Sequence, residues 1–150
     1  MEHEDFMREA IKGGRVAIES GNRPFACVLI KDGQVVARSY NRVLEDQDPT
    51  SHAELNIVRS FCSENRITDL SDYAMYTDAE PCAMCSSAIA WANLSMVAFG
   101  ADRNDGPFDY PRQVDLSCEE VIRRSGRQVQ VVPHVLREEC AALFREFSQT

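Results

Sequence analysis

Two short motifs in this sequence combine side chains that bind metal ions with a side chain that can carry protons. One motif is His52-Ala53-Glu54, and the other is Pro81-Cys82-Ala83-Met84-Cys85. Each opens a stretch whose apolar spacing predicts a helix. Cysteines three positions apart on a helix share a face, and the partial positive charge of a helix N-terminus favours thiolates. We therefore predict that His52, Cys82 and Cys85 hold one metal ion.

Three protein ligands are typical of a catalytic site. A structural zinc site has four, whereas a catalytic site keeps one position for a water molecule, whose pKa the ion lowers to about 7. Glu54 lies two residues after His52, and positions two apart do not share a helix face. Glu54 is therefore poorly placed as a fourth ligand. We predict that it is the catalytic residue that moves protons.

Two other interpretations of Cys82 and Cys85 remain open. A lone C-x-x-C pair in a cytosolic protein is also typical of thioredoxin-like redox sites. A structural zinc-binding module without turnover would need a fourth protein ligand. The candidates for that ligand are Cys27, Cys62, Cys118, Cys140, His3 and His134. The four cysteines among them lie in apolar or helical stretches, which favours core packing.

The composition is that of a globular protein. Of the 150 residues, 44% are hydrophobic and 27% are charged, which excludes a largely disordered chain. The length predicts a single domain over residues 1–150. The net charge of -8 disfavours a nucleic-acid partner, because such proteins carry basic surfaces that neutralise phosphates.

The sequence shows no export or membrane signal. Residues 1–10 are polar and acidic where a signal peptide is basic and then apolar, and no apolar run approaches the roughly 20 residues of a membrane helix. We therefore expect a cytoplasmic protein with no membrane partner. Its six cysteines are expected to stay reduced, as core residues or metal ligands.

The elements that position the two motifs alternate between strands and helices. Predicted helices cover residues 4–20, 51–62, 82–92, 117–124 and 136–147, with Thr50 or Ser51 as the N-cap of the second and Pro81 as the first residue of the third. Predicted strands cover residues 25–30, 35–40, 73–77, 96–99 and 129–132. Residues 41–50 and 101–112 are predicted loops. This order predicts an α/β fold, a three-layer α/β/α sandwich with a five-stranded mixed sheet.

At its two motifs the sequence resembles the cytidine deaminase-like superfamily of zinc deaminases, which carry H-x-E and P-C-x-x-C signatures. The likeness extends over residues 48–54, 76–77, 80–85 and 88–92, and it is nearest to the guanine deaminase and tRNA adenosine deaminase branch. The resemblance implies a homodimer with one zinc ion per chain. It also implies hydrolytic loss of an exocyclic amine from a nucleobase or nucleoside, with Glu54 as the proton carrier.

The resemblance further implies a set of substrate-binding residues. They are Asn41, Phe25, Ala53, Trp91 and Asp109. In this interpretation Asn41 reads the base edge with its amide, Phe25 stacks on the base, and Asp109 accepts from the N–H edge of guanine. Backbone N–H groups near Ala53 and Cys82 steady the substrate's oxygen. Trp91 matches a tryptophan of the guanine branch, with core or dimer-interface packing as the alternative.

The substrate itself stays open at this stage. Guanine is the first candidate, followed by another aminopurine, an aminopyrimidine such as cytosine, or a triazine-like amine. The acidic balance disfavours adenosine in tRNA. One departure from the family bears on this choice, because Arg23 stands where guanine deaminases carry a glycine before Pro-Phe.

Overall fold

The computed structural model of the chain describes residues 3–105 and 114–148, and in these ranges strands and helices alternate from β3 onwards, after an opening helix, a β-hairpin and two further helices. The helices are α1 (His3–Glu19), α2 (Val43–Asp46), α3 (Ala53–Asn65), α4 (Ala83–Ala92), α5 (Cys118–Ser125) and α6 (Arg137–Ser148). The strands are β1 (Ala26–Lys31), β2 (Gln34–Tyr40), β3 (Ala74–Ala79), β4 (Met96–Ala101) and β5 (Gln130–Val132). No helix within these ranges has the length and apolar character needed to cross a bilayer.

The strands form a five-stranded mixed sheet in the order β2-β1-β3-β4-β5. β1 pairs antiparallel with β2 and β3, whereas the β3–β4 and β4–β5 pairs are parallel. Apolar side chains of α3, α4 and α5 pack on one face of the sheet, and those of α1 and α6 pack on the other. The predicted three-layer α/β/α sandwich is confirmed.

One edge of this sheet collects the ends of four strands. β1 begins there, and β2, β3 and β4 end there, as the Ala26–Tyr40, Cys27–Thr77 and Thr77–Phe99 pairs show. In α/β sheets ligands bind outside the carboxyl ends of the strands, where the N-termini of the following helices also point. The sheet order therefore places the starts of α3 and α4 at the edge where a binding site is expected.

Residues 41–50 are not a plain loop, as the sequence predicted, because they contain the short helix α2. The Asn41 side chain starts this turn, since its Oδ1 accepts a hydrogen bond from the backbone N–H of Val43 at 3.1 Å. Local hydrogen bonds of this kind, from an Asn side chain to the backbone, stabilise turns that hydrophobic periodicity does not predict.

The predicted helix caps are wrong. Thr50 and Ser51 do not cap α3, because the Thr50 hydroxyl donates to Asp48 and the Ser51 hydroxyl donates to Asp46, each at 2.8 Å. The N-cap of α3 is His52. Likewise Pro81 precedes the N-cap of α4, which is Cys82. The two helices therefore begin later than predicted, α3 by one or two residues and α4 by two.

Asp78, near the end of β3, is a fully buried carboxyl group. Its Oδ1 accepts a hydrogen bond from the Ala26 backbone N–H at 3.0 Å, and its Oδ2 has no hydrogen-bond partner within the described residues. A side chain at Gly14 of α1 would collide with this carboxyl, since a Cβ there would lie 2.7 Å from Oδ2. Burial raises the pKa of Asp78 well above its usual value, and the charge of Glu54 adds to the effect.

The Asp78→Asn variant is expected to gain stability over the parent protein as the pH rises. The folded state holds the Asp78 proton to a higher pH than the unfolded state does, so its stabilising contribution is complete below about pH 4 and is lost as pH rises towards the raised pKa. The difference in the free energy of unfolding should grow by about 1.4 kcal/mol per pH unit in this window. Urea unfolding between pH 4 and 8 measures it. The control is Asp72→Asn, at an exposed position, and parallel curves for the parent and Asp78→Asn would contradict the prediction.

Candidate active site

Three metal-binding side chains meet at the sheet edge described above. His52 Nδ1 lies 3.5 Å from Cys82 Sγ and 3.6 Å from Cys85 Sγ. These three donor atoms all lie within 4.8 Å of one another. Within the described residues, no fourth His, Cys, Asp or Glu side chain joins the group. The geometry therefore brings together the three residues that the sequence predicted, with Nδ1 as the imidazole nitrogen that faces the sulfurs.

Local backbone structure explains why the three side chains converge. His52 and Cys82 are both N-caps with extended backbone, and neither side chain makes a capping hydrogen bond. N-cap side chains usually bind the free N–H groups of the first turn, so these two are available for other contacts. Cys85 follows in the first turn of α4 and is fully buried. Two helix starts placed side by side thus aim three donor atoms at one point.

The electrostatics of the site favour a thiolate. The pKa of Cys82 is lowered to about 4, first because its sulfur accepts a hydrogen bond from the Cys85 thiol, and further by His52 and the Cys85 backbone N–H. Thiolates are the form in which cysteines bind metals, and two sulfurs with one imidazole nitrogen suit Zn²⁺. The donor set in this structure therefore fits a zinc ion.

Glu54 lies beside this group, in the first turn of α3, and its side chain is buried. Burial raises the pKa of Glu54 to about 7, and the negative charge of Cys82 adds to the rise, while His52 opposes it. A carboxyl group with a pKa near the working pH can both accept and return a proton. Such a group next to a metal-binding set is typical of a hydrolytic active site.

A cavity of about 440 Å³ opens onto these residues, a volume typical of a small-molecule site. The described residues that line it are Arg23, Phe25, Asn41, Val43, Pro49, His52, Glu54, Ala79, Glu80, Cys82, Ala83, Met84 and Val114. His52 and Cys82 of the metal-binding group, and Glu54 with them, therefore line one cavity together with side chains that can contact a flat ring.

Phe25 and Asn41 stand together on the wall of this cavity. The Asn41 backbone N–H donates to the Phe25 carbonyl at 2.8 Å, which continues the β1–β2 pairing by one more step. The Phe25 ring also packs in a T-shaped arrangement against Phe144 of α6, with centroids 5.3 Å apart. Phe25 is thus fixed by contact with a buried residue of the core. The structure places both predicted residues at the cavity, and their contacts with substrate stay predictions.

The structure does not place the side chains of the other predicted substrate-binding residues at the cavity. Trp91 is 81% exposed and is not among the described residues that line the cavity, so the structure does not bring it to this site, and its contact with substrate stays a prediction. The reason is helical geometry, because six residues beyond Cys85 the side chain has turned by about 600° and points away from the ligand face. Ala53 has a fully buried side chain in the core, and the proposed role of its backbone N–H stays a prediction. Asp109 lies outside the described residues.

Sequence reasoning missed Glu80, which lies between β3 and the Cys82 motif and lines the cavity. Its Oε2 accepts from the backbone N–H of Cys118, at the start of α5, at 2.9 Å. Its Oε1 accepts from the backbone N–H of Arg103 at 3.2 Å. The position of this acid directly before Pro81 was the one signal available in the sequence. Its role could not be predicted, because its hydrogen-bond partners lie more than 20 positions further along the chain. Glu80 holds three segments together around the site.

Comparison with known proteins agrees with this fold and donor set, which define a hydrolytic deaminase of the zinc type. The family model "Cytidine and deoxycytidylate deaminase zinc-binding region" matches residues 1–101. The chain is 37% identical over 106 residues to a guanine deaminase of Bacillus subtilis, covering 70% of this chain and 68% of the relative. It is 32% identical over 142 residues to a tRNA-specific adenosine deaminase of the same organism, covering 95% and 86%.

The three-dimensional comparison gives the same result. The structure of a guanine deaminase from Nitrosomonas europaea matches with a TM-score of 0.84 at 25% identity, covering 98% of this chain and 85% of that one. The chain belongs to the cytidine and deoxycytidylate deaminase family. It is a nucleobase or nucleoside deaminase. Its relatives act on different substrates, since one is a guanine deaminase and another a tRNA-specific adenosine deaminase.

Proposed function

We propose that this protein is a zinc-dependent aminohydrolase that takes the 2-amine from guanine or a close analogue. The observation that carries the proposal is the meeting of His52 Nδ1, Cys82 Sγ and Cys85 Sγ within 4.8 Å, at a cavity that Glu54 also lines. The 37% identity to a guanine deaminase supports guanine as the substrate to test first. One zinc ion per chain and assembly as a homodimer are part of the proposal, and light scattering on the purified protein tests the dimer.

The reaction exchanges a carbon–nitrogen bond for a carbon–oxygen bond. When bound at His52, Cys82 and Cys85, zinc would lower the pKa of a water molecule. Glu54 accepts one proton from that water and passes it to the ring nitrogen while the oxygen attacks the neighbouring carbon. It then carries the second proton to the exocyclic nitrogen, the C–N bond breaks, and ammonia leaves. Each proton taken from water is thus returned, and the product is the oxo base.

Phe25 and Asn41 orient the base in this proposal. The Phe25 ring offers an apolar face that is braced by Phe144, and stacking on such a face is worth about 1–3 kcal/mol per base. Asn41 supplies a polar contact at the same wall. A flat heterocycle held between them can present its amine-bearing carbon to Glu54 and the metal-binding group.

Adenosine in tRNA is the second candidate, because the tRNA-specific relative matches 95% of this chain. That reaction needs a surface that binds an RNA backbone. The basic residues Arg123 and Arg124 on α5 both form ion pairs with Glu120, at 2.5 and 2.8 Å, which reduces the positive charge they offer to phosphates. Guanine is therefore the first candidate substrate, and adenosine in tRNA is the second.

A substrate panel tests the proposal. We expect ammonia release from guanine, at a rate that falls to background with a zinc chelator and returns when zinc is added. The panel adds cytosine, adenine, their nucleosides, a triazine amine and an anticodon-arm RNA. Greater turnover of the RNA or of cytosine would replace guanine as the substrate. A zinc-loaded protein that is inert on every member would overturn the assignment.

A further inference from the structure

A buried acid next to the cavity supports one of the side chains that form the cavity wall. Asp78 is fully buried near the end of β3 and is not among the described residues that line the cavity, whereas Phe25 is. We propose that Asp78 is a positioning residue, whose carboxyl group fixes the peptide bond after Phe25 and so holds the Phe25 ring in place for substrate. The effect on substrate rests on the proposed function, whereas the effect on Phe25 does not.

The peptide group that joins Phe25 to Ala26 is hydrogen-bonded on both sides. Its carbonyl accepts from the backbone N–H of Asn41 at 2.8 Å, and its N–H donates to Asp78 Oδ1 at 3.0 Å. A peptide group is planar, and in its trans form the C=O and N–H point in opposite directions. Two bonds on opposite sides of this plane therefore fix its orientation, which sets the direction of the adjoining Phe25 side chain.

The Asp78 side chain provides a bond that the sheet does not. The backbone pairing of β1 with β3 ends at the Cys27–Thr77 pair, and Ala26 lies one residue beyond it. Ala26 is fully buried, and a buried backbone N–H that has no acceptor is costly. Asp78 Oδ1 is therefore the acceptor that completes β1 at its cavity end.

Helix α1 packs closely on this carboxyl group through two glycines. A Cβ at Gly13 would lie 2.8 Å from the Ala26 Cβ. A Cβ at Gly14 would lie 2.7 Å from Asp78 Oδ2 and 3.0 Å from the Pro24 carbonyl oxygen. Glycine inside a helix lowers the stability of the helix, so two of them here indicate a packing requirement. The close approach of α1 restricts the rotation of the Asp78 side chain.

The carboxyl group of Asp78 favours its uncharged form. Burial raises the pKa of Asp78 well above its usual value, the Ala26 N–H opposes the rise, and the charge of Glu54 adds to it. An uncharged carboxyl group can accept the bond from Ala26 without adding a negative charge near the active site. Asparagine has the same shape and keeps the carbonyl acceptor, so it is the conservative replacement for Asp78.

Kinetics with guanine test the effect on substrate. Asp78→Leu keeps a similar size but removes the acceptor, and it should raise KM about 10-fold while kcat changes less than about twofold. The reason is that the variant loosens a binding surface and leaves the proton carrier in place. Asp78→Asn should keep the parent's KM, because the bond to Ala26 remains.

A second variant and a control accompany this measurement. Gly14→Ala places a methyl group against the Asp78 carboxyl, and it should raise KM in the same direction, even if Asp78→Leu does not fold. Val97→Ala removes apolar volume from the buried core at the start of β4. It should lower the thermal midpoint and leave KM unchanged, which separates the positioning effect from a general loss of stability.

The Ala26 amide and the Phe25 ring report the same change without substrate. Hydrogen exchange at the Ala26 amide should be slow in the parent and in Asp78→Asn, and at least about 10-fold faster in Asp78→Leu or Gly14→Ala. Crystal structures of these two variants should show the Phe25 ring displaced from its T-shaped contact with Phe144.

Four results distinguish the role of Asp78 from the proposed function. An unmoved Phe25 ring and a protected Ala26 amide in Asp78→Leu and Gly14→Ala overturn the positioning role. A displaced ring with an unchanged KM overturns it as well, and so does an equal rise of KM in Asp78→Asn. A parent that releases no ammonia from guanine shows instead that the proposed substrate is wrong, and the exchange rate and the ring position then decide the role of Asp78.

Discussion

Replacing Glu54 with glutamine is expected to lower kcat for guanine by at least about 10²–10⁴-fold while zinc stays bound. Glutamine keeps the shape of the side chain but cannot accept the proton of the attacking water or return one to the base. Glu54 is buried and is not part of the metal-binding group, so its loss should leave that group intact. Steady-state ammonia release and the zinc content by mass spectrometry, measured on the same sample, give the result.

A control on the same helix makes this result specific. Glu64, near the end of α3, is exposed, and Glu64→Gln should keep the parent's activity. Two outcomes would contradict the role of Glu54. One is a Glu54→Gln variant that retains a large part of the parent's turnover. The other is a variant that has lost its zinc, which would make the carboxylate a ligand rather than a proton carrier.

Removing one sulfur from the metal-binding group is expected to abolish both metal binding and turnover. Cys85→Ala should reduce the zinc content after dialysis from about one ion per chain to close to none, because two ligands hold zinc far more weakly than three. Without the ion, a water molecule at neutral pH is too weak a nucleophile, and activity should fall to background. Metal analysis, ammonia release and the thermal midpoint measured with and without chelator are the readouts.

The matched control is Cys62→Ala, since Cys62 is a half-buried free cysteine of α3 outside the group. It should keep full zinc and near-parent activity. A Cys85→Ala protein that binds a full equivalent of zinc would show that the ligand assignment is wrong. X-ray absorption spectra that require a fourth protein ligand in the parent would instead indicate a structural site without turnover.

Local signals accounted for most of the fold. Apolar spacing and the positions of turn-forming residues predicted five helices and five strands in their correct order. Element ends were less accurate, because β3 and β4 continue to Ala79 and Ala101, where their pairing extends the ladder. The short helix α2 was missed because side-chain hydrogen bonds around it, not apolar periodicity, produce it.

The sequence by itself determined the chemistry of this protein. The three predicted ligands and Glu54 belong to two short motifs at helix starts, and within each motif helix geometry sets the relative directions of the side chains. Only the tertiary structure decided that Nδ1 of His52 faces the sulfurs and that Arg23 lines the same cavity as Asn41. Those facts depend on how strands and helices distant in sequence pack, and no local spacing records that packing.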